Sequence, residues 1–329
     1  MIISRTPFRM SFFGGGTDYP TWFRKYGGAF LSVTLNRYCY VMARRLPPFF
    51  EVKGRISWSM IENVNTLGEI QNPVVRESLR LLEMEPALDI HYHGDLPARA
   101  GLGSSSAFCV GLLNALHALR GEFVGKMELA RQAIKVEYEL IGDTVGVQDQ
   151  VATAHGGLNF CTIERDGEIC LRPVVISSER TQALQDYVLL FYTGVARAAS
   201  NVAATKVKNM AERVTELKRI QGLATEAHAL LCGPADLEEF GELLHETWQM
   251  KRALSSAVSN ELVDSAYDAA LKAGAVGGKL LGAGGGGFLM VFANPRAHAR
   301  IREALKDLLH VPVAFERQGT QIIHHDPEQ

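Results

Sequence analysis

The chain has 329 residues, of which 47% are hydrophobic and 21% charged, and its formal net charge is −2. This length allows one large domain or two ordinary ones, and the apolar fraction excludes a disordered chain. The near-neutral charge gives no electrostatic basis for binding nucleic acid or an acidic membrane surface. Five cysteines without a CxxC pair indicate reduced thiols. No continuous apolar segment is long enough for a signal peptide or a membrane span, so we expect a soluble, cytoplasmic protein.

Predicted strands dominate the first hundred residues. Alternation over residues 1–13 predicts one or two short strands, which end in the glycine-rich turn GGGTDYP. β-Branched and aromatic residues over 29–46 predict a long strand that ends at two prolines, with a hairpin partner at 51–60. A helix is predicted at 73–82, and a strand at 88–92 then leads into the segment LPARAGLGSSSAF.

The middle of the chain mixes helices and strands. Apolar spacing predicts helices at 104–119 and 126–141, followed by the irregular segment DTVGVQDQVATAHGG. An Asp-Gly pair at 166–167 predicts a hairpin of strands 158–163 and 168–176. A buried strand is predicted at 188–193.

Helices dominate the second half. Helical stripes cover 200–231, 236–252, 260–273 and 296–309. The stretch GGKLLGAGGGGFLMVF leads into a strand, and a last strand is predicted at 311–315. The order of elements predicts an α+β protein of two lobes without internal repeats, with the boundary between residues 193 and 200.

The serine-rich segment before the 104–119 helix has the composition of an anion site. Unrestricted glycines at 101 and 103 lead into a helix N-terminus, whose amide groups attract phosphate. The serine hydroxyls that follow could add hydrogen bonds or a Mg²⁺ ligand. An ordinary loop into a buried helix could also carry these residues, so this segment alone does not decide between the two readings.

Other motifs exclude some nucleotide-binding classes. The chain has no GxxxxGK[ST], so it is not a Walker-type ATPase. Gly282, Gly284 and Gly287 match GxGxxG, but they precede a strand instead of opening a helix, which argues against a dinucleotide fold. Three glycine-bearing loops remain, and with Arg9, Asp18, Glu137 and Asp149 they are the parts that phosphoryl transfer requires. Each carboxylate taken alone could be a surface or capping residue.

The motifs PFRMSFFGGGTDY, LPARAGLGSSSA and KLLGAGGGGF, in this order, resemble those of the GHMP kinase family. The resemblance implies an N-terminal lobe, residues 1–195, similar to the second domain of ribosomal protein S5. It implies a ferredoxin-like C-terminal lobe, residues 196–329, with nucleotide and acceptor meeting in the cleft between the lobes.

The resemblance also implies roles for individual residues. Asp149 would receive the acceptor's proton, and Arg9 would fix that carboxylate. Glu137 and Ser105 would be Mg²⁺ ligands. The ATP phosphates would lie on Ala100, Gly101, Leu102, Gly103, Ser104, Ser105 and Ser106, and the sugar on Gly15, Gly16, Thr17, Asp18, Gly284 and Gly285.

Within the family, VQDQVATAHGG and HETWQMKRALSSAVSN look most like kinases of D-glycero-α-D-manno-heptose 7-phosphate. Those enzymes phosphorylate the anomeric hydroxyl, on the way to a nucleotide-activated heptose for surface polysaccharide. Gly15 and Gly16 stand where galactokinases carry Glu-His, which favours a bulkier sugar than galactose. A kinase of a fucose- or galactose-like sugar and a catalytically silent sensor of sugar and nucleotide both remain open.

A sugar that already carries a phosphate needs a second cationic pocket. Arg197 follows a predicted strand and precedes a predicted helix, so it is a candidate for that phosphate, although it could equally be a solvated arginine. The expected partners are thus ATP with Mg²⁺ and a sugar phosphate, without nucleic acid or membrane. The sequence leaves a homodimer open.

Overall fold

The computed structural model describes residues 1–194 and 210–326. Within these two ranges the strands are β1 Ile2–Phe13, β2 Gly28–Arg45, β3 Gly54–Ser57, β4 Ile61–Val64, β5 Leu88–Gly94, β6 Leu158–Ile163, β7 Ile169–Pro173, β8 Val188–Tyr192, β9 Gly277–Leu280, β10 Phe288–Phe292, β11 Leu309–His310, β12 Phe315–Glu316 and β13 Gln321–His325.

The helices of the same ranges are α1 Pro20–Tyr26, α2 Pro73–Leu81, α3 Ser104–Leu119, α4 Lys126–Ile134, α5 Gln148–His155, α6 Ser178–Asp186, α7 Val214–Cys232, α8 Leu237–Ala253, α9 Glu261–Lys272 and α10 His298–Ala304. A π-helical segment, Lys135–Leu140, continues α4 directly. Short 3-10 turns lie at Leu67–Glu69, Met210–Glu212 and Pro295–Ala297.

The long strand β2 organises the larger, nine-stranded sheet. Its first half pairs with β6, its second half pairs with β5, and β12 pairs with the residues between them. On its other side β2 pairs along most of its length with β1, which in turn pairs with β13. The predicted strand at 29–46 is therefore confirmed. Its β-branched residues and Phe30 are buried, whereas Tyr38 and Tyr40 are half-buried.

A second sheet of four strands has the order β11-β8-β10-β9, all antiparallel. Strand β8 precedes residue 195 yet belongs to this sheet, whereas β12 and β13 near the C-terminus return to the larger sheet. The chain therefore crosses between the two sheets on either side of the predicted lobe boundary, which itself lies outside the described residues.

Helix α3 forms the centre of the larger core. It is buried on almost every side, which agrees with its uniformly apolar sequence, and it packs against β1, β2 and α5. This packing fixes the N-terminal end of α3 near the middle of β1. Sheets that are antiparallel except for the parallel pair β3–β5, with helices packed on them, confirm the α+β class.

Several predicted elements were wrong in type or extent. The segment 143–157, predicted as irregular, contains helix α5, because packing against α3 and α4 stabilises a helix too short to show a pattern. Helices α1 and α6 were also missed. The helix predicted at 200–231 is confirmed from residue 214 onward as α7; residues 210–212 form a 3-10 turn, and residues 200–209 lie outside the described ranges. Helix α10 ends at 304, before the short strand β11.

The C-terminal strand prediction was also wrong. Residues 311–314 form no strand, and the missed strand β13 pairs with β1 instead. No helix within residues 1–194 and 210–326 has the length and apolar composition needed to cross a bilayer.

Candidate active site

The centre of the site is an ion pair between Arg9 and Asp149. Arg9 lies within β1 and is buried, and Asp149 lies in the first turn of α5. The guanidinium donates from Nε to Asp149 Oδ1 at 2.7 Å and from Nη2 to Oδ2 at 2.6 Å. This bidentate geometry fixes the plane of the carboxylate. The Asp149 side chain is still 31% exposed, so one side of it faces solvent.

Arg9 also binds the loop before α3, which we call the phosphate loop (residues 100–106). Arg9 Nη1 donates to the Gly101 carbonyl at 2.6 Å, and the Arg9 backbone N–H donates to the Leu102 carbonyl at 3.0 Å. Gly103 has a φ of 72° and ends the loop as the N-cap of α3. A Cβ added at Gly103 would lie 3.1 Å from Arg9 Cγ, so this position needs glycine both for its backbone and for its neighbour.

A buried carboxylate lies behind the phosphate loop. Glu137, on the π-helical segment, accepts hydrogen bonds from Ser105 Oγ at 2.7 Å, Ser106 Oγ at 2.7 Å and Gln150 Nε2 at 2.6 Å. Burial raises the pKa of Glu137 to about 7, and the charge of Asp149 adds to this, although the three hydrogen bonds oppose it. Glu137, Ser105 and Asp149, far apart in sequence, are thus neighbours.

The glycine turn at residues 14–19 forms a further wall of the site. Asp18 is buried, accepts a hydrogen bond from the Gly16 N–H at 2.9 Å, and its carbonyl accepts from the Val147 N–H just before α5. Burial raises the pKa of Tyr19, and the charges of Asp18 and Asp149 raise it further. The turn therefore lies against the Asp149 region.

Two residues of this turn differ in their surroundings. Thr17 is fully buried, and its hydroxyl donates to the carbonyls of Gly14 and Ala29, so it stabilises the turn; its predicted contact with the sugar stays a prediction. At Gly15, among the residues that the structure describes, an added Cβ would meet Ser11 Oγ at 3.9 Å, an ordinary van der Waals distance.

The glycine-rich loop between β9 and β10 packs directly on the phosphate loop. A Cβ at Gly282 would lie 2.5 Å from Gly101 Cα, and a Cβ at Gly287 would lie 2.4 Å from the Ala100 carbonyl oxygen. The Phe288 N–H donates to that same carbonyl at 3.2 Å. The two loops can approach this closely because glycines stand at positions 101, 282 and 287.

Two further glycines of this loop, Gly284 and Gly285, contact the segment before α9, and their predicted contact with the sugar stays a prediction. Gly284 and Gly285 pack against Val258, whose carbonyl accepts a hydrogen bond from the Gly285 N–H at 3.0 Å. Contact with the phosphate loop comes from Gly282 and Gly287 instead. The sequence could not separate these neighbours, because all of them belong to one run of glycines.

Sequence reasoning also missed two polar side chains. Lys251 of α8 is buried and donates to the carbonyls of Leu280, at 3.0 Å, and Gly282, at 2.6 Å, which holds the second loop in place. Gln150 contacts Glu137 from α5. Lys251 and Gln150 lie in two segments that resemble known kinases, HETWQMKRALSSAVSN and VQDQVATAHGG. This resemblance is the sequence signal that could have identified them. Arg197 lies outside the described residues.

Known proteins with similar sequences and folds include sugar kinases. The chain is 28% identical over 318 residues to the D-glycero-alpha-D-manno-heptose 7-phosphate kinase of Campylobacter jejuni, covering 93% of both chains. It is 27% identical to the L-fucokinase/L-fucose-1-P guanylyltransferase of Bacteroides fragilis, covering 93% of this chain and 36% of that protein. A D-glycero-D-manno-heptose 1-phosphate kinase from Bacteroides thetaiotaomicron has the same fold, with a TM-score of 0.79 at 23% identity, covering 98% of this chain and 99% of that one.

Two family models match the chain in the expected order. The model of the GHMP kinases N terminal domain matches residues 70–157, which include the phosphate loop, Glu137 and Asp149. The model of the GHMP kinases C terminal domain matches residues 224–311, which include Lys251 and the second glycine loop. Together with a fold shared along nearly the whole chain, these matches confirm the resemblance that the motifs indicated. The chain belongs to the GHMP kinase family.

Proposed function

We propose that this protein transfers the γ-phosphoryl group of ATP to the anomeric hydroxyl of D-glycero-D-manno-heptose 7-phosphate and so forms the 1,7-bisphosphate. The observation that carries the proposal is the Arg9–Asp149 pair. One guanidinium holds the carboxylate of Asp149 and the carbonyl of Gly101 at 2.6–2.7 Å. A proton acceptor and a phosphate-binding loop are thereby tied to one rigid group.

The phosphate loop supplies the features that a polyphosphate needs. Its end at Gly103 opens helix α3, a 16-residue helix whose first amide groups and dipole attract negative charge. The loop itself carries glycines against which phosphate oxygens could pack closely. We therefore assign the triphosphate of ATP to residues 100–106.

The residues near Glu137 fit a magnesium ion. Glu137 is buried and its pKa is raised, so its negative charge is poorly stabilised by the surrounding protein. A bound cation would stabilise that charge. Ser105 Oγ lies 2.7 Å from it, and the buried Oε1 of Gln150 has no hydrogen-bond donor among the described residues. Oxygen ligands of this kind suit Mg²⁺, which takes one or two protein ligands and completes its shell with water and substrate phosphates.

In this proposal Glu137 and Ser105 would hold the ion, which when bound neutralises charge on the phosphates during transfer. The remaining chemistry belongs to the protein. The anomeric oxygen attacks the γ-phosphorus, the bond to the β-phosphate oxygen breaks, and ADP leaves. The proton of the hydroxyl passes to the Asp149 carboxylate, which Arg9 holds in place. Most of the rate enhancement then comes from positioning and electrostatics.

The choice of a heptose phosphate rests on two features. The Campylobacter jejuni relative, similar over 93% of both chains, is named for that substrate. Gly15 and Gly16, in a turn against the Asp149 region, stand where galactokinases carry Glu-His, which favours a sugar larger than galactose. Arg197 remains our candidate for the remote phosphate. A product of this kind would supply the synthesis of a nucleotide-activated heptose.

L-Fucose is the second candidate substrate, because the Bacteroides fragilis relative matches 93% of this chain. A silent sensor is disfavoured, since Arg9, Asp149, Glu137 and the loop serines form a complete set of hydrogen-bonded neighbours.

The experiment is an ADP-release assay with Mg²⁺, ATP and four acceptors: heptose 7-phosphate, the same heptose without phosphate, L-fucose and galactose. We expect the highest kcat/KM on heptose 7-phosphate. A higher value on L-fucose would favour the second candidate, and ATP binding without turnover on any sugar would favour the sensor. Glu128→Gln, which changes an exposed carboxylate of α4, serves as the matched control for variants of Glu137.

A further inference from the structure

Arg99 has a backbone conformation that its side chain disfavours. In the part of the chain that the structure describes, two residues other than glycine have a positive φ: Glu83, with 52°, and Arg99, with 60°. This left-handed conformation is unfavourable for a residue that carries a side chain, whereas glycine adopts it freely. A strained residue persists only where its surroundings impose the conformation, and such residues cluster at functional sites.

The surroundings of Arg99 do impose it. The Arg99 N–H donates to Ser104 Oγ at 3.1 Å, across the phosphate loop to the first turn of α3. The next residue, Ala100, is buried, and its carbonyl is bonded by the Phe288 N–H. The loop geometry thus fixes the backbone at 99, and any residue there must adopt a positive φ. Glycine would satisfy this geometry without strain, yet the chain carries an arginine.

The arginine side chain has no structural use that could explain its presence. Arg99 is exposed, and within residues 1–194 and 210–326 no group hydrogen-bonds or ion-pairs with its guanidinium. Arg9, which contacts the same loop, is by contrast fully engaged with Asp149 and Gly101. The strained backbone therefore presents a free guanidinium at the edge of a loop that ends in a helix N-terminus.

We propose that Arg99 is a phosphate-binding residue of this site, and that it binds the polyphosphate of ATP. The inference rests on the proposed function, which assigns ATP to this loop. A guanidinium can bind two phosphate oxygens at once, a geometry that neither the backbone amides nor a lysine provides. Arg99 would add this clamp from solvent, while the glycines and the α3 amides bind from within. The same chemistry could serve the phosphate of the sugar, so the test separates the two.

The test compares Arg99→Gly with Glu83→Gly. Both substitutions put glycine where φ is positive, so relief of strain offsets the added freedom of the unfolded chain, and neither variant should lose thermal stability. Only Arg99→Gly removes a positive charge beside the phosphate loop. We expect its Kd for ATP, measured by calorimetry without sugar, to rise tenfold or more, and Glu83→Gly to bind ATP as the wild type does.

Two further measurements test the chemistry of the contact. The ATP affinity of Arg99→Gly should depend less steeply on salt than that of the wild type, because one screened charge pair has been removed. Arg99→Lys should recover part of the affinity, since it keeps the charge without the bidentate geometry. The KM for heptose 7-phosphate should stay unchanged in all three variants.

The outcomes separate this proposal from the proposed function. Unchanged ATP affinity in Arg99→Gly, with normal binding by the wild type, overturns the role of Arg99 alone. A change confined to the KM of the sugar phosphate also overturns it, because the guanidinium would then bind the acceptor. Absence of ATP binding by the wild type would overturn the proposed function and this inference together.

Discussion

Glu137 provides the sharpest test of the site, because a single substitution should stabilise the protein and impair the enzyme. Glutamine has the shape of glutamate, and the surrounding groups can adapt to it. The Oε1 of Gln150, which has no donor among the described residues, can accept from the new amide after Gln150 turns over. The hydroxyls of Ser105 and Ser106 can reverse their direction. Glu137→Gln should therefore fold.

The magnitude follows from the pKa. Burial raises the pKa of Glu137 from 4.5 to about 7. At 1.36 kcal/mol per pKa unit, this corresponds to about 3 kcal/mol that opposes ionisation in the folded protein. Below pH 4.5 Glu137 is protonated in both the folded and the unfolded chain, and its contribution to the free energy of unfolding is fully present. As the pH rises through 7 this stabilising contribution is lost, because the unfolded chain releases its proton more readily than the folded one.

The assay is urea unfolding at pH 5 and pH 8, without Mg²⁺ or nucleotide. The neutral Glu137→Gln should have nearly the same free energy of unfolding as the wild type at pH 5, and a higher one at pH 8, by up to about 3 kcal/mol. At pH 8 the same variant should need a higher Mg²⁺ concentration for half-maximal activity, since an amide is a weaker ligand for a hard cation. A stability difference independent of pH would refute the assignment, as would an unchanged Mg²⁺ dependence. Glu128→Gln should match the wild type in both measurements.

Three further variants test other parts of the site. Asp149→Asn cannot accept a proton and puts an amide against Arg9, so kcat should fall about a hundredfold or more while the affinity for ATP is unchanged. A variant that retains half of the wild-type kcat would contradict the role of Asp149. Gly103→Val should fold but should not bind ATP, because the valine would be strained at this positive φ and would press against Arg9. Normal ATP affinity would show that this loop does not bind the nucleotide. Arg197→Ala should lower kcat/KM on heptose 7-phosphate by roughly tenfold to a hundredfold and leave kcat/KM on the unphosphorylated heptose unchanged. Equal effects on both sugars would exclude Arg197 as the residue that binds the phosphate of the sugar.

The sequence predicted the larger features of this fold because they have strong local signals. Strand β2 and helix α3 are long, and their composition matches their burial. Helix α5 was missed because its eight residues are flanked by glycine-punctuated segments and its stability comes from packing against α3 and α4. Strand β13 was missed because its pairing partner, β1, lies at the opposite end of the chain. Non-local contacts of this kind leave little trace in a local pattern.

The candidate site shows the same division. Motifs and family resemblance singled out Arg9, Glu137 and Asp149, but the hydrogen bonds that connect them depend on three-dimensional packing. The sequence singled out the segment of Lys251 but not the residue, whose burial beside Gly282 follows from how α8 packs on β9. The strain at Arg99 likewise has no signature in the sequence, because the conformation is imposed by Ser104 and the neighbouring loop.

The most direct test of the proposed function is where the phosphate goes. The protein would be incubated with ATP, Mg²⁺ and heptose 7-phosphate, and the product followed by phosphorus-31 NMR with proton coupling. We predict one new phosphomonoester signal coupled to the anomeric proton, formed at the rate of ADP release and absent with Asp149→Asn. ADP release without an anomeric phosphate, or a new phosphate on any other hydroxyl, would contradict the account.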